Sequence, residues 1–365
     1  MRSRRLLFAC CLVSAVSANV RAGESWEKTP ESEAALEAGL GWLARQQGPE
    51  GNWGTDNSGL VGMGALAFLS AGQMPGRGEQ GRSAQRAIDW MLKHVQPSGL
   101  LSHAEPEREM FSHGRSTFVL GQAHGMSDDA RIGPVLDRAL RLILAAQSDD
   151  GGWSFQARRQ SEGSGLAHIA TQAQALRSAL DCGLDVPAGA VEAALQNVLA
   201  RYRGPEGIDP ADPSIRDKPG QFVDSAGENS LRSAAAGVVA LFQLGRADDW
   251  RIGKNMDAIL AALNRPAPPA DRGQAPLEAE TLYYVGQALR LAGGKHWKEG
   301  YPILRDSLVT AQFRRPGDPH DGHWRDPAAD AADAQLAASA AACIVLSLPH
   351  RYVPGLEPPD RARQD

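Results

Sequence analysis

The sequence predicts an all-α protein: an (α/α)6 toroid of six helix hairpins forming a single domain. Three observations carry this prediction. A Gln-x3-Gly-x-Trp pattern recurs along the chain with a period of roughly 50 residues, the range of two-helix repeats. Amphipathic helical segments alternate with segments that are apolar nearly all round. The period-two alternation of half-buried strands is absent.

The amino-terminal residues are expected to be an export signal. Arg2, Arg4 and Arg5 precede an apolar stretch at 6–16, and Val20-Arg21-Ala22 offers a small-residue cleavage site. Segment 1–22 is therefore read as a signal peptide, with a periplasmic or secreted mature chain starting at Gly23. Leu7-Phe8-Ala9-Cys10 resembles a lipoprotein box, but the apolar stretch before Cys10 is too short to insert. Removing four arginines and no acid takes the formal charge from −5 to −9, with 34 basic residues against 43 acidic ones. An acidic chain without a basic block argues against nucleic acid and anionic membrane surfaces as partners. No later stretch reads as a transmembrane segment. Cys182 and Cys343, both in apolar helical settings, read as small buried hydrophobes, although a disulfide between them is compatible with export.

Six amphipathic helices follow in order. Their apolar stripes are Leu36/Leu40/Leu43, Ala84/Ile88/Met91/Val95, Leu136/Leu140/Ile143, Val191/Leu195/Val198/Tyr202, Ile252/Met256/Ile259/Leu263 and Tyr301/Leu304/Leu308/Ala311. Charged residues such as Asp137, Arg138 and Arg141 occupy the opposite faces, so these helices have one wet side. Between them lie Gly- and Ala-rich apolar helices: "GLVGMGALAFLSAG", "TFVLGQAHGM", "IATQAQALRSALDCG", "SAAAGVVALFQLG", "LYYVGQALRLAGG" and "AQLAASAAACIVLSL". A helix without a polar face is buried, and small residues let its neighbours approach. Dry helices inside and wet helices outside make a closed ring over 23–355, followed by a polar tail at 356–365.

The turns punctuate this ring. "LARQQGPEGNW" (43–53) and "ILAAQSDDGGW" (143–153) share the full pattern; weaker copies hold Gln96/Gly99, Gly207 and Gln312/Gly322/Trp324, with a degenerate copy expected near 265. Asp149-Asp150-Gly151-Gly152 sits where an outer helix stops. Asp and Gly are turn residues, so these aspartates are read as scaffolding, with Gln147 and Trp153 packing across the turn.

Connections from inner to outer helices are short, whereas those from outer back to inner are long. Helix direction puts all the long ones on one rim, together with the amino-terminal ends of the inner helices. The polar residues there, His113, Arg115, His168, Arg232, Glu280, Tyr283 and Tyr284, are the candidate binding set at the mouth of a central cavity. Arg and His at helix amino termini favour an anionic group. His320-Asp321-Gly322-His323 lies in a loop that needs Asp and Gly for its turn, so no metal site is assigned. No cofactor is implied.

The Gln-x3-Gly-x-Trp turns resemble the QW motif of squalene–hopene and oxidosqualene cyclases and, more loosely, the repeats of protein prenyltransferase β subunits. "SAGQMPGRGEQG", "AQSDDGGW", "LAGGKHWKEGYP" and "SLPHRYVP" are similar to segments of exported bacterial prenyltransferase and squalene oxidase repeat proteins. The resemblance implies the toroid fold of the terpenoid cyclase and prenyltransferase superfamily. It carries no chemistry over, because the motifs of that chemistry are missing. The cyclases' DxDD acid is absent, since neither Asp149-Asp150 nor Asp330-Ala331-Ala332-Asp333 matches it. The prenyltransferases' Asp-x-Cys zinc ligands are absent, since Asp181-Cys182 has the wrong spacing. Gly76-Arg77-Gly78-Glu79-Gln80 resembles a thioester signature with its cysteine replaced.

Two functional readings follow. The first is a non-catalytic binding or scaffold toroid that holds a lipid or isoprenoid, a glycan or a protein at the long-loop rim. The second is an isoprenoid-processing or polysaccharide-acting enzyme with a non-standard catalytic set, for which Asp224, Glu228, Glu278 and Glu280 are candidate acids. The missing motifs and an aromatic content of only 6% favour the first.

Overall fold

The computed structural model describes residues 26–160, 165–205, 213–265 and 272–358. The expected export signal at 1–22, the turn at Gly207 and the end of the carboxy-terminal tail lie outside the described residues. Twelve α-helices lie among them. The amphipathic ones are α1 (Pro30–Gln46), α3 (Gly78–Lys93), α5 (Ile132–Ala146), α7 (Ala188–Leu199), α9 (Arg251–Leu263) and α11 (Gly294–Ala311). The apolar ones are α2 (Ser58–Ser70), α4 (Glu109–Met126), α6 (Leu166–Asp181), α8 (Leu231–Gln243), α10 (Ala279–Ala292) and α12 (Ala332–Ser347).

Each apolar helix packs on the next, from α2 through α12, and α12 packs back on α2 to close the ring. The amphipathic helices lie outside it, with their apolar stripes buried except at the partly buried Val95, Val191 and Leu263. Close approach within the inner ring depends on small residues. A Cβ on Gly114 of α4 would come within 2.7 Å of the Gln172 amide on α6, and one on Gly286 of α10 within 2.5 Å of Val345 on α12. The stretch Ala332–His350 is long and apolar enough to cross a membrane. Here it is an inner-ring helix, packed between α10 and α2 and mostly buried.

The outer helices are joined by their turns. Gln147 Nε2 donates both to Gly151 O of its own turn (3.0 Å) and to Ala190 O at the start of α7 (2.9 Å). Gln47 bonds in the same way to Gly51 O and to Ser83 O of α3. Gln312 does so to Gly322 O and to Ala35 O of α1, across the seam where the outer ring meets itself. The Trp53, Trp153 and Trp324 indoles each donate back to the preceding helix. Gly151 has φ +82°, and a Cβ there would lie 2.0 Å from Ala193 O. Asp150 Oδ1 accepts from Gly152 N and Ser148 Oγ, and Asp149 pairs with Arg159 on the surface. The aspartate pair closes a turn.

Two features depart from the sequence reading. A two-residue antiparallel pair, β1 (Tyr202–Arg203) with β2 (Gln221–Phe222), pins the base of the long α7–α8 connection. Strands this short show no alternation to read. Leu356 and Glu357, assigned to the polar tail, belong to the body: Leu356 is buried, and Glu357 forms a buried ion pair with Arg290. The segment after α12 crosses the short-loop end of the ring. There Gly355 N donates to Gln122 Oε1 and Gly355 O accepts from Gln243 Nε2, both at 3.0 Å. Cys182 and Cys343 are free thiols, and burial pushes both upward in pKa.

Candidate functional site

The inner helices start on one rim, where the long connections gather. The first turns of α2, α4, α8, α10 and α12 line a cavity of about 490 Å³. Along the helices it reaches Met63 of α2, Arg115 of α4, Tyr283 of α10 and Ala337 of α12, each within two turns of its helix start. Deeper in, the ring is filled. Gln174 Nε2 of α6 donates to Gln287 Oε1 (2.7 Å) and Tyr283 Oη (3.3 Å) of α10, and all three residues are buried. The carboxy-terminal segment lies across the other end of the ring.

Arg115 is the exceptional group in this cavity. It is 6% exposed; its Nε and Nη2 are enclosed and have no hydrogen-bond partner, while the guanidinium acts on the Tyr284 hydroxyl by its charge and a side-chain hydrogen bond. Its guanidinium carbon lies 4.4 Å from the centre of the Phe111 ring and 5.2 Å from that of Tyr283. Ring faces attract a cation but do not satisfy its N–H donors. Leaving buried donors of a charged group unpaired costs on the order of 1–3 kcal/mol or more.

The other charges at the mouth are largely committed. Glu280 pairs with Arg108 and lies 3.6 Å from Arg232, which is 3.7 Å from Glu278. Asp326 accepts from Ala279 N at the start of α10 and from Ala328 N, each at 2.8 Å. Asp333 Oδ2 accepts from Thr55 Oγ1 at 3.0 Å. Three arginines therefore face five carboxylates, Glu105, Glu278, Glu280, Asp326 and Asp333, among the lining residues.

A second lobe, about 230 Å³, shares Arg108, Phe111, Arg232 and Glu280 with the first. His168, in the first turn of α6, lines it with Phe155, Asp224 and Ser233. Both ring nitrogens of His168 are buried without a hydrogen-bond partner. Burial lowers its pKa to about 4, so the imidazole is neutral at physiological pH.

Of the seven residues singled out from the sequence, Arg115, Arg232, Glu280 and Tyr283 line the larger cavity, and His168, Arg232 and Glu280 the smaller. His113 and Tyr284 line neither. His113 Nδ1 accepts from Leu101 N (2.9 Å) and its Nε2 lies 3.2 Å from Ala139 O of α5; burial again lowers its pKa to about 4. Tyr284 donates to Ala167 O of α6 at 2.8 Å, and burial raises its pKa. Both brace neighbouring elements. Residues two apart on a helix point to nearly opposite sides, so His113 and Arg115 cannot share a cavity. Arg108, Phe111 and Ser112 were not singled out, although with Arg115 they make an i, i+3, i+4, i+7 stripe, the signal of one helix face. His320 and His323 stay in their turn, and no group of three metal-capable residues occurs among the described residues.

No protein-family model and no curated protein matches the chain. Solved structures do match by fold. An inactive variant of an α-1,6-mannanase from Salegentibacter, in complex with α-1,6-mannotetrose, superposes with a TM-score of 0.58 at 9% identity, covering 89% of this chain and 100% of that one. An unsaturated glucuronyl hydrolase specific for heparin gives 0.56 at 14% identity over 88% and 96% of the two chains. A type II terpene cyclase from Scytonema, in complex with geranylgeranyl dihydroxybenzoate, gives 0.51 at 12% over 88% and 98%. The chain therefore has the α/α-toroid fold that glycosidases and a terpene cyclase also have.

Proposed function

We propose that this toroid binds a hydroxyl-rich ligand, a glycan carrying a carboxylate, in the cavity on its long-loop rim. The observation that carries this reading is Arg115, a buried guanidinium of a cavity-lining residue whose Nε and Nη2 lack a partner within the chain. A planar fork of donors suits a carboxylate. Around it, Asp333, Glu105 and Glu278 offer acceptors for hydroxyl groups. The excess of carboxylates disfavours a multiply charged ligand such as a diphosphate. The filled ring centre below Tyr283 offers no apolar tunnel for an isoprenoid chain. We assign the encounter to the periplasm or the exterior, in keeping with the export signal expected at 1–22.

Calorimetric titration with glucuronate tests this reading. Saturable binding that Arg115→Met weakens by about tenfold or more supports it, a factor equivalent to about 1.4 kcal/mol. Absence of binding, or equal affinity in Arg115→Met, overturns it.

The solved structures named above are enzymes, so their likeness lends no support to a purely structural role. A second reading, glycan hydrolysis, is favoured by Asp333 and Glu280, carboxylates on adjacent inner helices that line one cavity. Release of reducing ends from a uronate-containing oligosaccharide, lost in Asp333→Asn, is its test.

A further inference from the structure

We infer that the lobe around His168 is a second subsite, which takes an uncharged hydroxylated ring joined to the acidic sugar held at Arg115. This deepens the glycan reading and rests on it. The combined ligand is then a disaccharide or longer, with a carboxylate at one position and a neutral sugar at the next.

The two lobes are contiguous, since Arg108, Phe111, Arg232 and Glu280 belong to both. Each holds one buried polar side chain with unused hydrogen-bonding capacity: a cation in the larger and an imidazole in the smaller. His168 is only 4% exposed, with neither ring nitrogen partnered. A neutral imidazole has one donor and one acceptor, which matches hydroxyl groups and gives no pull on a second carboxylate. Asp224 and Glu107 line the same lobe and offer acceptors for hydroxyl groups.

The walls fit a ring with an apolar face. The Phe155 ring stands edge-on to His168, 5.7 Å between centroids, and is 38% exposed although it is a large apolar side chain. Phe111 lies 6.2 Å from the imidazole, its ring tilted to it. Because Phe111 also carries the Arg115 guanidinium, one aromatic ring forms the wall between the two positions. At about 230 Å³, the lobe has room for a single ring and not for a polymer.

The test is calorimetry with two probes: glucuronate, and a disaccharide of glucuronate joined to N-acetylglucosamine. The wild-type protein is expected to bind the disaccharide about tenfold more tightly, the gain from about one or two further hydrogen bonds. His168→Phe abolishes that gain and leaves glucuronate affinity within about twofold, whereas Arg115→Met weakens both ligands. A His168→Phe protein that keeps the preference overturns the second subsite and leaves the Arg115 site standing. Failure of both probes to bind, or their indifference to Arg115→Met, overturns the proposed function itself. If His168→Phe does not fold, the imidazole 15N resonances of wild-type His168 decide. They shift with the disaccharide and not with glucuronate if the inference holds, and respond equally to both if it does not.

Discussion

Arg290 near the end of α10 and Glu357 beyond α12 form a two-pronged ion pair, Nε to Oε1 at 3.1 Å and Nη2 to Oε2, with both side chains less than a tenth exposed. The pair locks the carboxy-terminal segment across the closed end of the ring. Removing one partner strands the other charge in a buried site, at a cost of about 3–5 kcal/mol. Glu357→Ala should lose that much stability in urea unfolding. Replacing both partners with Met and Leu should restore most of it, since the pair's own net worth is small. A Glu357→Ala loss under about 1 kcal/mol would show the segment to be a loose appendage.

The seam of the outer ring gives the next expectation. Gln312 bonds the turn after α11 to α1, as Gln147 bonds the turn after α5 to α7. If the ring is closed, Gln312→Ala and Gln147→Ala lose equivalent pairs of hydrogen bonds and cost about 1–3 kcal/mol each. If the ring opens in solution, the amide at the seam keeps only its bond to Gly322 O. Gln312→Ala would then cost clearly less than Gln147→Ala.

Acid should weaken the fold through two histidines. His113 and His168 are neutral when folded, with pKa values lowered to about 4 from 6.5 by burial. Between these values the unfolded chain binds more protons than the folded one, so stability falls as pH drops from 6.5 towards 4. The slope is about 1.4 kcal/mol per pH unit for each histidine. His113→Gln should flatten the curve of stability against pH over that window. An unchanged slope would mean that His113 is already charged in the folded protein.

The architecture was legible in the sequence because burial demands it. Helices such as "SAAAGVVALFQLG" cannot face water, and the unequal connections point to one rim. The candidate cavity was legible only by end of helix and not by face. His113 and Tyr284 share the correct helix ends with Arg115 and Tyr283. Yet a shift of one or two residues turns their side chains onto α5 and α6. Asp326 and Glu105 come from connections whose path no periodicity records, so only coordinates bring them to the mouth. The commitment of Glu280 to Arg108 and Arg232 spans residues far apart in the chain and was equally hidden.

Arg115 should set function against stability. In the free protein its unpartnered donors are a cost, offset in part by the Phe111 and Tyr283 rings at about 0.5–2 kcal/mol. Methionine fills much of the same volume without needing hydrogen bonds. Arg115→Met is therefore expected to stabilise the unliganded fold by about 1 kcal/mol while weakening ligand binding. Thermal unfolding of the two proteins with and without glucuronate reads both quantities at once. The variant should melt higher alone and respond less to ligand. A variant that melts lower than wild type would instead make Arg115 a structural post held by its aromatic neighbours, and the cavity would lose the group that defines it.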